Sequence, residues 1–141
     1  MAKTALVTGA SSGIGREIAR DLSARGFRVI LSARREERLR ELAEELGDNT
    51  RVIVCDVSDR EECLRLYEET KNEKISVLVN CAGFGAVGSF DKLPLDTELK
   101  MIDTNVTAVH MLTKLFLKDF VAADKGYIMN ICLLYTSDAA D

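Results

Sequence analysis

Thr8-Gly9-Ala10-Ser11-Ser12-Gly13-Ile14-Gly15 is the stretch whose reading decides the fold. It follows the apolar run Ala5-Leu6-Val7 and leads into Ile14, Ile18 and Leu22, which recur at helical spacing and make one apolar stripe. A turn from strand to helix at this point must reverse the chain tightly and expose backbone N–H groups at the positive end of the helix. Glycine at positions 9, 13 and 15 suits both demands and keeps Cβ atoms out of the way of a diphosphate. The same glycines would also serve a tight turn and close helix packing with no ligand at all. The spacing G-x-x-x-G-x-G differs from the G-x-G-x-x-G of many dinucleotide folds. It is not a nucleoside triphosphate loop either, because Gly15 is followed by Arg16-Glu17 where Lys and Ser or Thr would be needed.

Outward from this turn, short apolar runs recur at Val29-Ile30-Leu31, Val52-Ile53-Val54, Val77-Leu78-Val79 and Tyr127-Ile128-Met129. Each is too short for a helix and too continuous for a half-exposed strand, so they read as strands buried on both faces. Between them, Leu39, Leu42 and Leu46, then Val106, Val109, Leu112, Phe116 and Phe120, keep helical spacing. Ser58 followed by Glu61 fits a capping box, and Gly47 stands where the second helix must stop. Alternating strands and helices require right-handed crossovers and a parallel sheet covered on both sides. The expected architecture is α/β, a Rossmann-like doubly wound parallel sheet over residues 1–131, with strand order 3-2-1-4-5.

The chain has 141 residues, 47% of them hydrophobic and 30% charged, with one Pro, which places it among folded globular proteins and away from disordered or fibrous ones. Its formal charge of -4 offers no long-range attraction to nucleic acid or anionic lipid, so a small metabolite is the expected partner. Met1-Ala2-Lys3-Thr4 runs directly into an apolar strand, and no stretch reaches the length of a signal core or membrane span, from which a cytoplasmic location is expected. Cys55, Cys63, Cys81 and Cys132 are scattered and His110 is the single histidine, so neither a metal site nor a disulfide framework is expected.

The glycine turn in this setting, with Asp56-Val57 after the third strand and Asn80-Cys81-Ala82-Gly83 after the fourth, resembles the short-chain dehydrogenase/reductase family. The resemblance runs from Lys3 to about Ile131. It implies that Gly9, Ser11, Ser12, Gly13, Ile14 and Gly15 cradle the pyrophosphate and adjoining ribose of a nicotinamide dinucleotide. Asp56 and Val57 would meet the adenine, although an Asp flanking a helix needs no ligand. Asn80, Ala82 and Gly83 would border the cofactor, and Cys81 stands where many relatives carry a second Asn. At the end of the second strand, where an NAD-binding fold usually places an acid for the ribose hydroxyls, Ala33 and Arg34 stand instead. A guanidinium pairs with a 2′-phosphate through parallel hydrogen bonds, so NADP(H) is expected over NAD(H). Arg34, Arg35, Arg38 and Arg40 also read as a solvated face with Glu36, Glu37 and Glu41, a Glu36/Arg40 pair included, and that reading is kept for Arg38 and Arg40. Asn105 matches the asparagine that in the family bends the long helix and holds a water of the proton relay, and it reads equally as a helix N-cap. The helix from about Asn105 to Val121 leaves a homo-oligomer open, because relatives often pair through it.

Carbonyl reduction in this family needs a Tyr whose pKa is lowered by a Lys one helical turn on, and a Ser that holds the substrate oxygen. Leu133 occupies the place of that serine, and Tyr135 is followed four residues on by Ala139. The stretch 132–141 departs abruptly from the family pattern and resembles translated library-adapter sequence. The expectation is therefore a ketone/secondary-alcohol oxidoreductase in the parent protein, present here as an inactive nucleotide-binding part. A non-catalytic dinucleotide-binding sensor or assembly module is the alternative reading.

Overall fold

Ala5, Leu6 and Val7 have no accessible surface, because the strand that carries them lies at the centre of a five-stranded sheet. The computed structural model describes residues 2–131. Five strands, β1 (Thr4–Thr8), β2 (Arg28–Ala33), β3 (Thr50–Val54), β4 (Ile75–Asn80) and β5 (Tyr127–Asn130), pair in parallel in the order β3-β2-β1-β4-β5. The helices between them are α1 (Gly13–Ala24), α2 (Glu36–Leu46), α3 (Arg60–Thr70), α4 (Leu95–Ile102) and α5 (Ala108–Ala123).

Side-chain alternation along each strand divides the core into two layers. Leu6, Ile30, Ile53 and Leu78 pack with Leu66 of α3 and with Leu112, Phe116 and Phe120 of α5. Val7, Val29, Leu31 and Val79 face the opposite way, against Ala19 of α1 and Leu39 and Leu42 of α2. At β1 and β2 the continuous apolar runs therefore mark strands with a helical layer on either side, whereas the runs of β3 and β5, expected to be buried on both faces, leave Val54, Tyr127 and Met129 exposed at the two sheet edges. Beyond α1 that second layer stops: Ile14, Ile18 and Leu22 border an apolar groove of about 630 Å³ over Val77, Val79 and Met129. β5 is an edge strand, with Tyr127 71% and Met129 49% exposed.

Two local expectations are corrected. Ser58 does not cap α3; Asp59 does, its carboxylate accepting from the Glu61 amide at 2.9 Å. The reason is that Asp56 captures Ser58, accepting from its hydroxyl at 2.7 Å and its amide at 3.0 Å, which leaves the next residue to serve the helix. Asn105 is not an N-cap either, because the chain is already helical before it: α4 passes into α5 through a wider π-helical turn, Asp103–Thr107. The anticipated stop at Gly47 is present, with φ of +94° at the end of α2.

Candidate nucleotide site

A doubly wound sheet opens a crevice where successive crossovers leave in opposite directions, beyond the carboxyl ends of the strands. Here that point lies between β1 and β4, since β2 and β3 build outward on one side and β5 on the other. The glycine turn sits on it. Gly9 adopts φ of +64°, and a Cβ there would lie 2.7 Å from backbone atoms of Cys81 and Ala82. A Cβ on Gly15 would stand 2.2 Å from the Gly9 carbonyl oxygen. These two glycines let the turn close on itself and on the end of β4. Gly13 differs: its φ is +57°, and a Cβ there would meet nothing within 4 Å. It begins α1 beneath open space.

The same end of α1 presents donors. Ser12 occupies the N-cap position in extended conformation, its side chain makes no capping bond, and no acidic residue lies in the first turn. The leading amides of α1 therefore keep their hydrogen-bonding capacity and the positive end of the helix is not neutralised. A diphosphate fits these features: an open approach over Gly13 and free amides behind it.

Thr8, buried at the end of β1, holds the neighbouring loop. Its hydroxyl donates to the Val79 carbonyl at 3.4 Å and accepts from the amides of Cys81 and Ala82 at 3.0 and 3.2 Å. Sequence reasoning assigned Thr8 no role, although a Thr ending a buried strand beside a glycine turn is the available signal. Asn80, 2% exposed, donates to Asn130 at 2.9 Å and Thr113 at 3.2 Å, tying the ends of β4 and β5 to α5. Asn105 makes a two-way bond with the backbone of one residue, Phe84. Its Oδ1 accepts from the Phe84 amide at 3.0 Å, and its Nδ2 donates to the Phe84 carbonyl at 2.7 Å. Gly83 is required beneath it, because a Cβ there would stand 2.9 Å from Asn105 Oδ1.

The remaining residues gather at the ends of β2 and β3. The Ala10 amide donates to the Ser32 carbonyl and the Cys55 amide to the Ala33 carbonyl, which lace the loops after β1, β2 and β3 together. Arg34 is exposed at this junction and has no ion-pair partner among the described residues. Arg35, read from sequence only as part of a solvated face, reaches the turn instead, donating to Ser12 Oγ at 3.4 Å. Arg40 pairs with Glu36 at 3.3 Å, the solvated-face arrangement expected of it. Val57 is buried, its side chain turned into the core and its carbonyl accepting from the Cys63 thiol at 3.2 Å. Partial burial raises the Asp56 carboxyl, but the Ser58 hydroxyl and amide, then the Lys100 and Arg34 charges, outweigh it and hold it below its ordinary value.

A Tyr-x-x-x-Lys spacing does occur within the described residues, at Tyr67 and Lys71, and the geometry assigns it to packing. Tyr67 lies on α3, edge-on to Phe116 with ring centroids 5.1 Å apart, and donates to Asp119 at 2.7 Å. That bond and partial burial push its phenol up to about 12, the opposite of what proton transfer near neutrality demands. The positions compared with the family's Ser, Tyr and Lys, namely Leu133, Tyr135 and Ala139, lie outside the described residues.

Comparison with known proteins agrees with this geometry. The model of the short chain dehydrogenase family matches residues 3–139. The chain is 38% identical over 129 residues to a 3-oxoacyl-(acyl-carrier-protein) reductase of Rickettsia prowazekii, covering 92% of this chain and 53% of that protein. It is 40% identical over 135 residues to a granaticin polyketide synthase putative ketoacyl reductase of Streptomyces violaceoruber, covering 90% of this chain and 49% of that one. Among solved structures, a metagenomic short-chain oxidoreductase in complex with NADP superposes with a TM-score of 0.86 at 34% identity, covering 91% of this chain and 61% of the other. The bulky-bulky ketone specific alcohol dehydrogenase of Comamonas testosteroni gives 0.86 at 30% identity, covering 91% and 53%. The chain thus spans about half the length of the curated relatives it matches. Sheet order, the glycine turn at the switch point and these matches together place the chain in the short-chain dehydrogenase family of oxidoreductases.

Proposed function

We propose that this chain binds NADP(H), with the diphosphate on the amides that begin α1, the adenine at Asp56 and the backbone of Val57, and the 2′-phosphate at Arg34. The observation that carries the reading is the uncapped start of α1 under open space at Gly13. Ser11, Ser12, Ile14 and the loop Asn80, Ala82 and Gly83 complete the wall of the crevice, and Gly9 and Gly15 let the turn close. Arg34 would pair with a 2′-phosphate in a fork, and Arg35 beside Ser12 adds a second cation on the same side. The structural neighbour in complex with NADP supports the preference by likeness.

In the parent protein the reading is a ketone/secondary-alcohol oxidoreductase, in which the bound nicotinamide supplies or accepts hydride. Asn105, by clamping Phe84, holds the loop beside the crevice in place. With Leu133 in the place of the family's serine, and with Ala139 rather than Lys four residues after Tyr135, we read the chain as it stands as binding coenzyme without turning over a carbonyl. Sequencing the gene past the codon for Ile131 tests whether 132–141 belongs to the parent. The exposed Val106, Leu117 and Val121 support pairing with a second copy along the π turn and α5, which sedimentation would detect. Among the described residues no helix is long and apolar enough to cross a membrane, and we read the protein as cytoplasmic, a reading that cell fractionation tests.

The deciding experiment titrates NADPH and NADH against the purified chain by nucleotide fluorescence. Tighter binding of NADPH is expected; equal affinity sinks the role of Arg34, and no binding of either by a folded sample sinks the site.

A further inference from the structure

α4 is a helix without an anchor in the core. None of its residues is buried, and its apolar side chains Leu95, Leu99 and Ile102 are 66%, 47% and 48% exposed. Among the described residues its one ion pair runs to the loop after β3, Lys100 Nζ to Asp56 Oδ2 at 3.7 Å. The two oxygens of Asp56 are not equivalent. Oδ1 accepts from both the amide and the hydroxyl of Ser58, at 3.0 and 2.7 Å, which occupies its two lone pairs. Oδ2 is the acceptor left over. At 3.7 Å the Lys100 ammonium attracts it without closing a hydrogen bond, so Oδ2 can still take a donor from a ligand.

We infer that Lys100 is a further nucleotide-site residue supplied by α4, positioned so that it and the amino group of a bound adenine share the one free carboxylate oxygen of Asp56. The inference rests on the placement of adenine at Asp56 proposed above. Physically, an uncompensated Asp56 would repel the phosphates of an incoming dinucleotide. Lys100 and Arg34 flank the carboxylate and offset that repulsion, while Asp56 stays ionised to accept from the adenine. α4 then forms the wall at the adenine end of the crevice, tethered there by the carboxylate that reads the base.

The test is a double-mutant cycle on the full chain, with Lys100→Met, Asp56→Asn and both together, titrated with NADPH and with the analogue that carries hypoxanthine for adenine. Lys100→Met is expected to weaken NADPH about two- to fivefold, the range for a half-exposed ion pair. Lys100→Arg restores most of the loss, and in the Asp56→Asn background the Lys100 substitution costs nothing further. The hypoxanthine analogue presents an oxygen in place of the amino group, repelling Asp56 but accepting from Lys100, so Lys100→Met weakens it more than NADPH. Amide exchange across residues 95–102 without nucleotide should quicken in Lys100→Met and in Asp56→Asn alike. Unchanged NADPH affinity in Lys100→Met, or an equal loss with and without Asp56, overturns the inference while leaving the coenzyme site intact. Failure of the folded parent chain to bind either nucleotide overturns both.

Discussion

Replacing Thr8 by Val removes one hydroxyl and tests the mechanical link between the two halves of the crevice. The side chain is 2% exposed, and the substitution keeps its volume, so no cavity forms. What is lost is an acceptor for two amides, those of Cys81 and Ala82, and a long donation to the Val79 carbonyl. A buried donor left without a partner costs about 1–3 kcal/mol. Cys81 and Ala82 are half-buried, so the lower end applies to each, and about 2 kcal/mol is expected in total. For a chain of this size that corresponds to a fall in Tm of roughly 6–10 °C, at about 3–5 °C per kcal/mol. Urea unfolding followed by far-ultraviolet circular dichroism measures it, as a lower midpoint at unchanged slope. Thr8→Ser is the control: it keeps the oxygen and gives up one methyl, about 1 kcal/mol. Thr8→Val costing less than about 0.5 kcal/mol, or Thr8→Ser costing more than Thr8→Val, would refute the claim that the hydroxyl holds the Cys81-Ala82 turn.

Three further outcomes are expected. Gly13→Ala should fold at a cost of about 1–2 kcal/mol from the left-handed backbone and lose NADPH binding, whereas Gly15→Ala should be destabilised severely because its Cβ would meet the Gly9 carbonyl oxygen at 2.2 Å; urea unfolding and titration separate the two. Arg34→Glu should weaken NADPH by about ten- to a hundredfold and leave NADH nearly unchanged, measured by nucleotide fluorescence. The Tyr67 phenol, pushed up to about 12 by its bond to Asp119, favours the protonated form in the folded chain, so its contribution to stability is complete below the ordinary phenol value near 10. That contribution should vanish as pH rises from there toward 12, and Tyr67→Phe should flatten this part of the stability profile in urea melts.

The sheet was legible because buried parallel strands are written as unbroken apolar runs, and β1, β2 and β4 carry such runs at the centre. Side-chain choices between adjacent residues were not. Ser58 and Asp59 are both good caps, and the decision fell to Asp56, which withdraws Ser58 from the competition. Asn105 looked equally suited to capping or bending because its identity says nothing about whether the chain is helical before it. The π turn and the bond to Phe84, twenty-one residues away, answer that through tertiary contact. Lys100 was invisible for a related reason, since its significance comes from a carboxylate on another strand end.

The three glycines of the first turn show best where local sequence stops informing. In the sequence they are one motif with one explanation, and packing alone was a sufficient account of all three. The structure separates them. Gly9 and Gly15 are explained by contact, because any side chain there would strike the backbone of the loop after β4 or of the turn itself. Gly13 has no such neighbour. Its positive φ favours glycine, but Asn or Asp tolerates that conformation at modest cost and either would leave the fold intact. What packing leaves unexplained is the combination of an empty approach with helix amides that no side chain caps. A ligand bearing negative charge accounts for both at once, and for that reason the coenzyme assignment depends on Gly13 rather than on the motif as a whole.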